Sequence, residues 1–196
     1  MEDNRKNKIM IATIECIEKY GIENTTIRKI AEFAGLNSAA ISYYFSSKEQ
    51  LIDSVFKWNV QDVFSWKDFE QFSDLPAKGQ LIEILTHLCS GGVKYPNIVR
   101  AHFYPIFTEG NNNIYAVQEL NSFMEKLFLL LKKSESIDLN DENLKKAITF
   151  ICSSTFIYLT LFNNLLKQFN GKDMTEYDEI KIYITYIVNT CLPSTM

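Results

Sequence analysis

The sequence predicts an all-α fold of about nine helices, and three observations support that expectation. Hydrophobic residues make up 46% of the 196 residues, which is ample for a core. Only 7 Gly and 4 Pro are present, and they form no clusters of the kind that mark the turns of a sheet. Apolar residues recur with helical spacing, beginning with a first helix over residues 5–20 that ends at Gly21.

The second helix is short and ends in a tight turn. It spans about residues 26–34, and Asn24 or Thr25 can cap its free N–H groups. Gly35 follows, where a helix ends in a left-handed residue, because glycine takes that conformation without a side-chain clash. Ala31 is small, as needed where two helices cross closely.

The third helix completes a recognisable motif. It spans about residues 38–44, with Asn37 or Ser38 as its cap. This spacing is typical of a helix-turn-helix, a motif whose second helix enters the major groove of DNA. One apolar face across both helices is formed by Ile30, Ala34, Leu36, Ile41 and Phe45.

The fourth helix has the clearest start. Ser47-Lys48-Glu49-Gln50 has the form of a capping box, with the serine capping forward and the glutamine reaching back. The helix is expected to span residues 48–69 and to connect two domains. Residues 1–47 form the predicted helix-turn-helix DNA-binding domain, and residues 48–196 form a helical effector-binding and dimerisation domain.

The fifth and sixth helices follow a boundary loop at residues 74–76. The loop's proline is tolerated in the first turn of the fifth helix, which should run to about Ser90 and stop at Gly91-Gly92. Tyr95-Pro96 opens the sixth helix, and Pro105 should kink it or end it early.

Three further helices complete the chain. The seventh spans about residues 114–133, and a polar loop over residues 134–140 follows it. The eighth spans about residues 141–169 and the last about residues 175–191; both are apolar on more than one side, which predicts burial on two sides. The expected caps are Asp141 and Thr175, and Pro193 closes the last helix.

Residues 24–51 resemble the DNA-binding domain of the TetR family of bacterial transcription repressors. A Tyr-Phe-x-x-Lys-x-x-Leu stretch directly after the helix-turn-helix makes the resemblance specific. The matching positions are Thr26, Ile30-Ala31, Ala34-Gly35-Leu36, Ile41, Tyr43-Tyr44-Phe45, Lys48 and Leu51.

The resemblance implies a function and a set of partners. A dimer joined through the last two helices would bind a pseudo-palindromic operator in double-stranded DNA as a repressor. A small, largely apolar or aromatic effector, bound in the C-terminal domain, would release the DNA. Two alternatives stay open, namely a DNA binder without a small ligand that is controlled by a protein partner, and an activator.

The candidate DNA contacts fall into two kinds. Hydrogen bonds to base edges suit Asn37 and Ser38, contact with thymine methyl groups suits Ala39, and bidentate contact with guanine suits Arg28. Ser42 and Tyr43 share the exposed face of the third helix. The alternative for the two tyrosines is a packing role. Phosphate contacts are predicted for Thr26, Tyr43, Tyr44 and Lys48.

Candidate effector contacts are aromatic residues with a few polar groups that orient the guest. For each one the alternative is a plain place in the hydrophobic core. An aromatic share of 13% favours an apolar or aromatic effector. The candidates are Asn59, Trp66, His87, Phe103, Phe107, Phe123 and Thr155.

Charge and composition narrow the function further. The net charge is −4, yet residues 1–57 carry eight basic and eight acidic side chains, so the acidic excess lies in the remainder. The electrostatic part of DNA affinity should therefore be modest and readily lost with salt. Four scattered cysteines and two isolated histidines predict reduced thiols, no metal and no cofactor.

Other classes of function are not expected. The sequence has no paired nucleophile and base, no G-x-S-x-G and no Gly-rich phosphate loop, so an enzyme is not predicted. The most apolar run, residues 150–162, is shorter than the roughly 18–20 residues of a membrane span, and no signal peptide opens the chain. We expect a cytoplasmic protein with no membrane partner.

Overall fold

A computed structural model describes residues 2–134, 137–162 and 164–192, and every regular element within those ranges is helical. The predicted all-α class is confirmed. A 3-10 helix, Trp66–Phe72, follows the fourth α-helix, and a π-helical stretch, Ser153–Ile157, follows the eighth. The α-helices are α1 Glu2–Tyr20, α2 Ile27–Ala34, α3 Ser38–Tyr44, α4 Lys48–Val63, α5 Ala77–Lys94, α6 Pro96–Glu109, α7 Tyr115–Lys132, α8 Asp141–Cys152, α9 Tyr158–Leu161, α10 Lys167–Asn170 and α11 Tyr177–Cys191.

Local hydrogen bonds explain the ends of α2 and α3. Thr26 caps α2, since its side chain accepts from the backbone N–H of Lys29 at 3.2 Å. The predicted caps Asn24 and Thr25 were therefore wrong, because both side chains donate backward to carbonyls at the end of the preceding turn. Gly35 ends α2 with φ of +60°, as predicted.

The cap of α3 is as expected. The side-chain oxygen of Asn37 accepts from the backbone N–H of Ala40 at 2.8 Å. One core joins α1, α2, α3 and the first half of α4, and it contains both the apolar face of the motif and the inner face of α1. Its fully buried members include Ile9, Cys16, Ile30, Ala34, Ile41, Phe45, Leu51 and Val55.

Three predicted boundaries were wrong. The fourth helix ends at Val63 rather than at residue 69, because the chain becomes extended at Ser65 and re-forms as the 3-10 helix. The fifth helix continues through Gly91-Gly92 to Lys94. A glycine weakens a helix by only about 1 kcal/mol, which packing along α5 outweighs. The sixth helix continues past Pro105 and ends where Gly110 takes φ of +63°.

The predicted eighth helix was wrong in its second half. It passes through a π-helical stretch and ends at Leu161 rather than at Phe169. Asn164 takes φ of +60°, and its side chain accepts from the backbone N–H of Met174 at 2.9 Å and donates to Asp173 at 3.0 Å. These bonds hold a chain reversal that a continuous helix would prevent.

Two predicted caps were also wrong. Asn140, rather than Asp141, caps α8 by accepting from the backbone N–H of Asn143 at 2.9 Å. The last helix begins at Tyr177, and the hydroxyl of Thr175 donates to Asp173 at 2.7 Å instead of capping it. The terminator Pro193 lies outside the described residues.

The chain divides into two compact units. The first contains Met1–Val63 and Tyr95–Gln118, so α6 groups with the helix-turn-helix. The second contains Phe64–Lys94 and Glu119–Met196. The division at residue 47 into a DNA-binding and an effector domain stays a prediction about function.

One helical stretch within the described residues, Asp141–Leu161, is long and apolar enough to cross a membrane by length and composition. A core helix of a soluble protein passes the same test. Leu144, Ile148 and Ile151 are fully buried in this stretch, which is what a core helix requires.

Candidate nucleic-acid interface

The third helix presents nearly all of its side chains to solvent. Ile41 is its one fully buried residue and fixes the helix to the core of the first unit. Ser38, Ala39 and Ser42 are exposed, and the Tyr43 side chain is 73% exposed. A seven-residue helix anchored on one side and polar or small on the other can approach base edges closely.

The local structure of α3 limits what its polar side chains can offer a base. The side-chain oxygen of Asn37 already accepts one hydrogen bond as the cap of the helix, so its N–H groups are the better placed to bond an acceptor on DNA. The Ser42 hydroxyl donates to the carbonyl of Ser38 at 3.2 Å, which is a weak bond that a base can replace. Both residues stay predicted base contacts.

Arg28 stands on α2 with its side chain 88% exposed. Its Nε donates to Glu32 at 3.3 Å, one helical turn along. An exposed pair at this spacing contributes only about 0.3–0.5 kcal/mol, so contact with guanine can displace the carboxylate at small cost. The assignment of Arg28 to guanine stays a prediction.

Tyr43 and Tyr44 occupy different environments, although their rings meet edge to face with centroids 5.0 Å apart. Tyr44 is half-buried and packs against the core of the first unit, whereas Tyr43 is exposed. The packing role that the sequence left open therefore applies to Tyr44 more than to Tyr43. The phosphate contact of Tyr43 stays a prediction, which its exposure permits.

The start of α4 places Lys48 beside a set of backbone donors. The Ser47 hydroxyl accepts from the backbone N–H of Gln50 at 3.1 Å, which is the forward half of the predicted capping box. The Gln50 side chain reaches back to the N–H of Ser46 at 2.7 Å, one residue earlier than the motif predicts. These two backbone N–H groups are therefore already bonded within the protein, and the Lys48 ammonium and the Thr26 hydroxyl stay the predicted phosphate contacts here.

The predicted effector contacts in the first unit are varied in environment. Phe103 is buried, and Phe107 is 66% exposed near the end of α6. The Oδ1 atom of Asn59 accepts a hydrogen bond of 2.9 Å from Nε2 of His102, a residue that the sequence did not propose as an effector contact. Burial lowers the pKa of His102 to about 4, so the ring is neutral at physiological pH. No sequence spacing signals a contact across these 43 residues.

The second unit holds the other predicted contacts. Trp66 and Phe123 belong to an aromatic cluster whose ring centroids lie 5.1–6.2 Å apart, together with Phe64 and Phe69. Thr155 is buried and donates to the carbonyl of Ile151 at 2.7 Å, whereas His87 is exposed. These seven assignments stay predictions.

Ser90 on α5 is a polar group that the sequence did not point to. Its hydroxyl is buried and has no hydrogen-bond partner among the described residues. Such a group is unusual in a folded protein and is the kind of atom that a ligand or a water would satisfy.

The fold and this surface define an all-α helix-turn-helix protein, and comparisons with known proteins match its N-terminal region to a family of regulators. Residues 9–55 match the model of the bacterial regulatory proteins, tetR family. The HTH-type transcriptional regulator BetI 1 of Chromohalobacter salexigens is 34% identical over 65 residues, which is 32% of each protein. The match to the TetR family thus covers the helix-turn-helix region, about a quarter of the chain.

Solved structures match over nearly the whole chain, and they show the fold. A putative TetR-family regulator from Mesorhizobium loti superposes with a TM-score of 0.72 at 15% identity, covering 97% of this chain and 96% of that one. FadR of Bacillus subtilis, solved with stearoyl-CoA, gives 0.60 at 16% identity, covering 97% and 99%. The matched sequence spans about a third of the curated relative's length.

Proposed function

We propose that this protein is a dimeric transcriptional repressor that binds a pseudo-palindromic operator and is released by a small, largely apolar effector. The observation that carries the proposal is the α2–Gly35–α3 motif, with Ile41 buried and Ser38, Ala39, Ser42 and Tyr43 facing solvent. That geometry is what a recognition helix needs in order to enter a major groove.

Dimerisation is supported by an exposed apolar face on α11. Ile182 is 63% exposed and Tyr186 is 68% exposed, and both line an open groove of about 700 Å³ along that helix. Phe150 on α8 is also exposed. Apolar patches of this kind mark interaction sites, and a twofold contact would present two recognition helices about 34–36 Å apart.

The effector is proposed from the aromatic side chains of the second unit. Phe64, Trp66, Phe69 and Phe123 form a cluster of aromatic rings that an apolar guest can contact. The Bacillus subtilis relative was solved with a long-chain acyl-CoA, which is a guest with a large apolar part. An effector acts by preferring the state that does not bind DNA, and it can shift the equilibrium only by that difference in affinity.

Two contacts make α4 a suitable path for that shift within the first unit. Asn59 and Gln61, near the end of α4, bond to His102 and Tyr115 at 2.9 and 2.8 Å. The start of α4 carries Lys48 at the predicted phosphate site. A displacement of α6 or α7 would therefore reach the DNA-contacting end of the helix.

The decisive experiment is selection of bound sequences from random duplex DNA by the purified full chain, with sedimentation in parallel. We expect a pseudo-palindrome and a dimer. An Ile182→Glu/Tyr186→Glu variant should sediment as a monomer and lose operator affinity, whereas Phe107→Glu, which alters an equally exposed apolar residue elsewhere, should remain a dimer. A strictly monomeric wild type that binds no duplex at low salt overturns the proposal.

A further inference from the structure

Two lysines of α1 lie at the two ends of the recognition helix. The Nζ atom of Lys6 lies 5.9 Å from the ring centroid of Phe45, the residue directly after α3. The Nζ atom of Lys8 lies beside Gly35, in the turn that precedes α3. A Cβ atom added to that glycine would be 3.8 Å from it. The start of α1 therefore runs alongside the helix that is proposed to read DNA.

Both lysines are exposed and lack a counter-charge among the described side chains. Other cations of the first unit are engaged: Arg28 pairs with Glu32, and Lys57 pairs with Asp53. Lys29 donates to the carbonyl of Asn24 at 2.8 Å. Among the described side chains, Lys6 and Lys8 at the start of α1 are thus cations next to α3 that no ion pair engages.

The contacts of the two lysines within the protein add little to its stability. Lys8 lies near the carbonyl end of α2, where a positive charge stabilises the helix dipole, and Lys6 makes a cation–π contact with Phe45. Exposed interactions of these two kinds contribute little to the stability of the fold. They would also make no difference to how DNA affinity depends on salt.

We propose that Lys6 and Lys8 bind backbone phosphates beside the groove occupied by α3. The inference rests on the proposed DNA-binding function and extends it to a helix outside the motif. Residues 1–57 carry no net charge, so each cation without an ion pair at this surface is a large part of the attraction to DNA. Sequence-independent affinity comes from the phosphates that such cations neutralise.

The expected effect is a change in salt dependence. Each phosphate contact contributes about 0.9 to the slope of log K against log salt concentration. In a dimer, Lys6→Gln or Lys8→Gln removes two contacts, so each single variant should reduce the slope by about 1.8 and the double variant by about 3.6. The loss of affinity should be equal for the selected operator and for a scrambled duplex.

The test is fluorescence anisotropy with the selected operator, titrated between about 50 and 200 mM salt. Lys19→Gln is the matched control, because Lys19 lies at the other end of α1 over the rings of Tyr20 and Phe33. A Lys6→Arg/Lys8→Arg variant should restore the slope, since it keeps both charges. Thermal unfolding of every variant separates loss of contact from loss of fold.

The outcomes are distinguishable. A double variant with the wild-type slope, in a protein that binds its operator, overturns the role of the two lysines and leaves the proposed function intact. A drop in slope that Lys19→Gln reproduces equally also overturns it, because the effect would then come from net charge. A wild type without any DNA binding overturns the proposed function itself.

Discussion

The carboxylate of Glu18, near the end of α1, accepts hydrogen bonds from the backbone N–H groups of Asn97 and Ile98, each at 3.0 Å. The side-chain amide of Asn97 returns a bond of 2.8 Å to the carbonyl of Glu18. The first turn of α6 is therefore capped by a residue 79 positions earlier in the chain. This double contact fixes α6 to the helix that supports the DNA-binding motif, within the first unit.

Removing that carboxylate should weaken the first unit. Glu18→Ala leaves two N–H groups at a partly buried helix start without their acceptor, so we expect a loss of about 1–3 kcal/mol in the free energy of unfolding. Urea unfolding followed by circular dichroism measures it. Glu15→Ala, at an exposed position on the same helix, should change stability by less than about 0.5 kcal/mol. Equal effects of the two substitutions would contradict the capping role.

Gly35→Ala tests the backbone of the turn. The space around Gly35 is open apart from the Lys8 ammonium, so the cost comes from φ of +60° and should be about 1–2 kcal/mol. Gly91→Ala is the matched control, because Gly91 lies inside α5 with no atom near a new Cβ. That substitution should stabilise by up to about 1 kcal/mol. Thermal melts of the two variants should thus shift in opposite directions.

Ser90→Ala should stabilise the protein. The buried hydroxyl loses its contact with water and gains no partner among the described residues, so its removal should be worth about 1 kcal/mol or more. Ser122→Ala on the exposed side of α7 controls for helix propensity alone and should gain less than about 0.5 kcal/mol. A destabilised Ser90→Ala protein would show that the hydroxyl has a partner, and the midpoint of urea unfolding decides the matter.

The stability of the protein should fall as the pH drops from 6.5 to 4. His102 has its pKa lowered to about 4 by burial, so in that window the unfolded chain binds a proton that the folded chain does not. The loss should be on the order of 2–3 kcal/mol, in addition to that from carboxylates. A His102→Gln variant keeps an N–H donor for Asn59 but removes the titrating ring. Its free energy of unfolding should therefore depend less on pH between 6.5 and 4.

Urea unfolding at several pH values, compared between wild type and variant, isolates the histidine. His87→Gln makes the same substitution at an exposed histidine and is the control for the exchange itself. If the His102→Gln protein has the same pH profile as the wild type, burial does not lower the pKa of His102 in the folded protein, and the prediction is wrong.

Local chemistry in the sequence predicted the motif well. Gly35, Asn37 and the Ser47 cap act through neighbours within four residues, so their roles can be read from spacing alone. The motif's buried face follows from the helical period, and its members lie in one core. These features depend on no distant part of the chain.

Tertiary contacts decided what the sequence could not predict. The backbone becomes extended at Ser65 after α4 ends at Val63, and the reversal at Asn164 depends on Asp173. The pair of Asn59 and His102 and the cap from Glu18 join residues 43 and 79 positions apart. No periodicity or capping signal extends over such distances, so the same rules gave wrong ends for α4 and for the eighth helix.

The single anchor of α3 has a consequence for how the protein can evolve. Because Ile41 is the fully buried residue of α3, the exposed positions 38, 39 and 42 can be exchanged for different side chains without disturbing the core beneath. A change of preferred DNA target therefore requires few substitutions and little loss of folding energy. Libraries randomised at residues 38, 39 and 42 should yield folded variants with new target preferences.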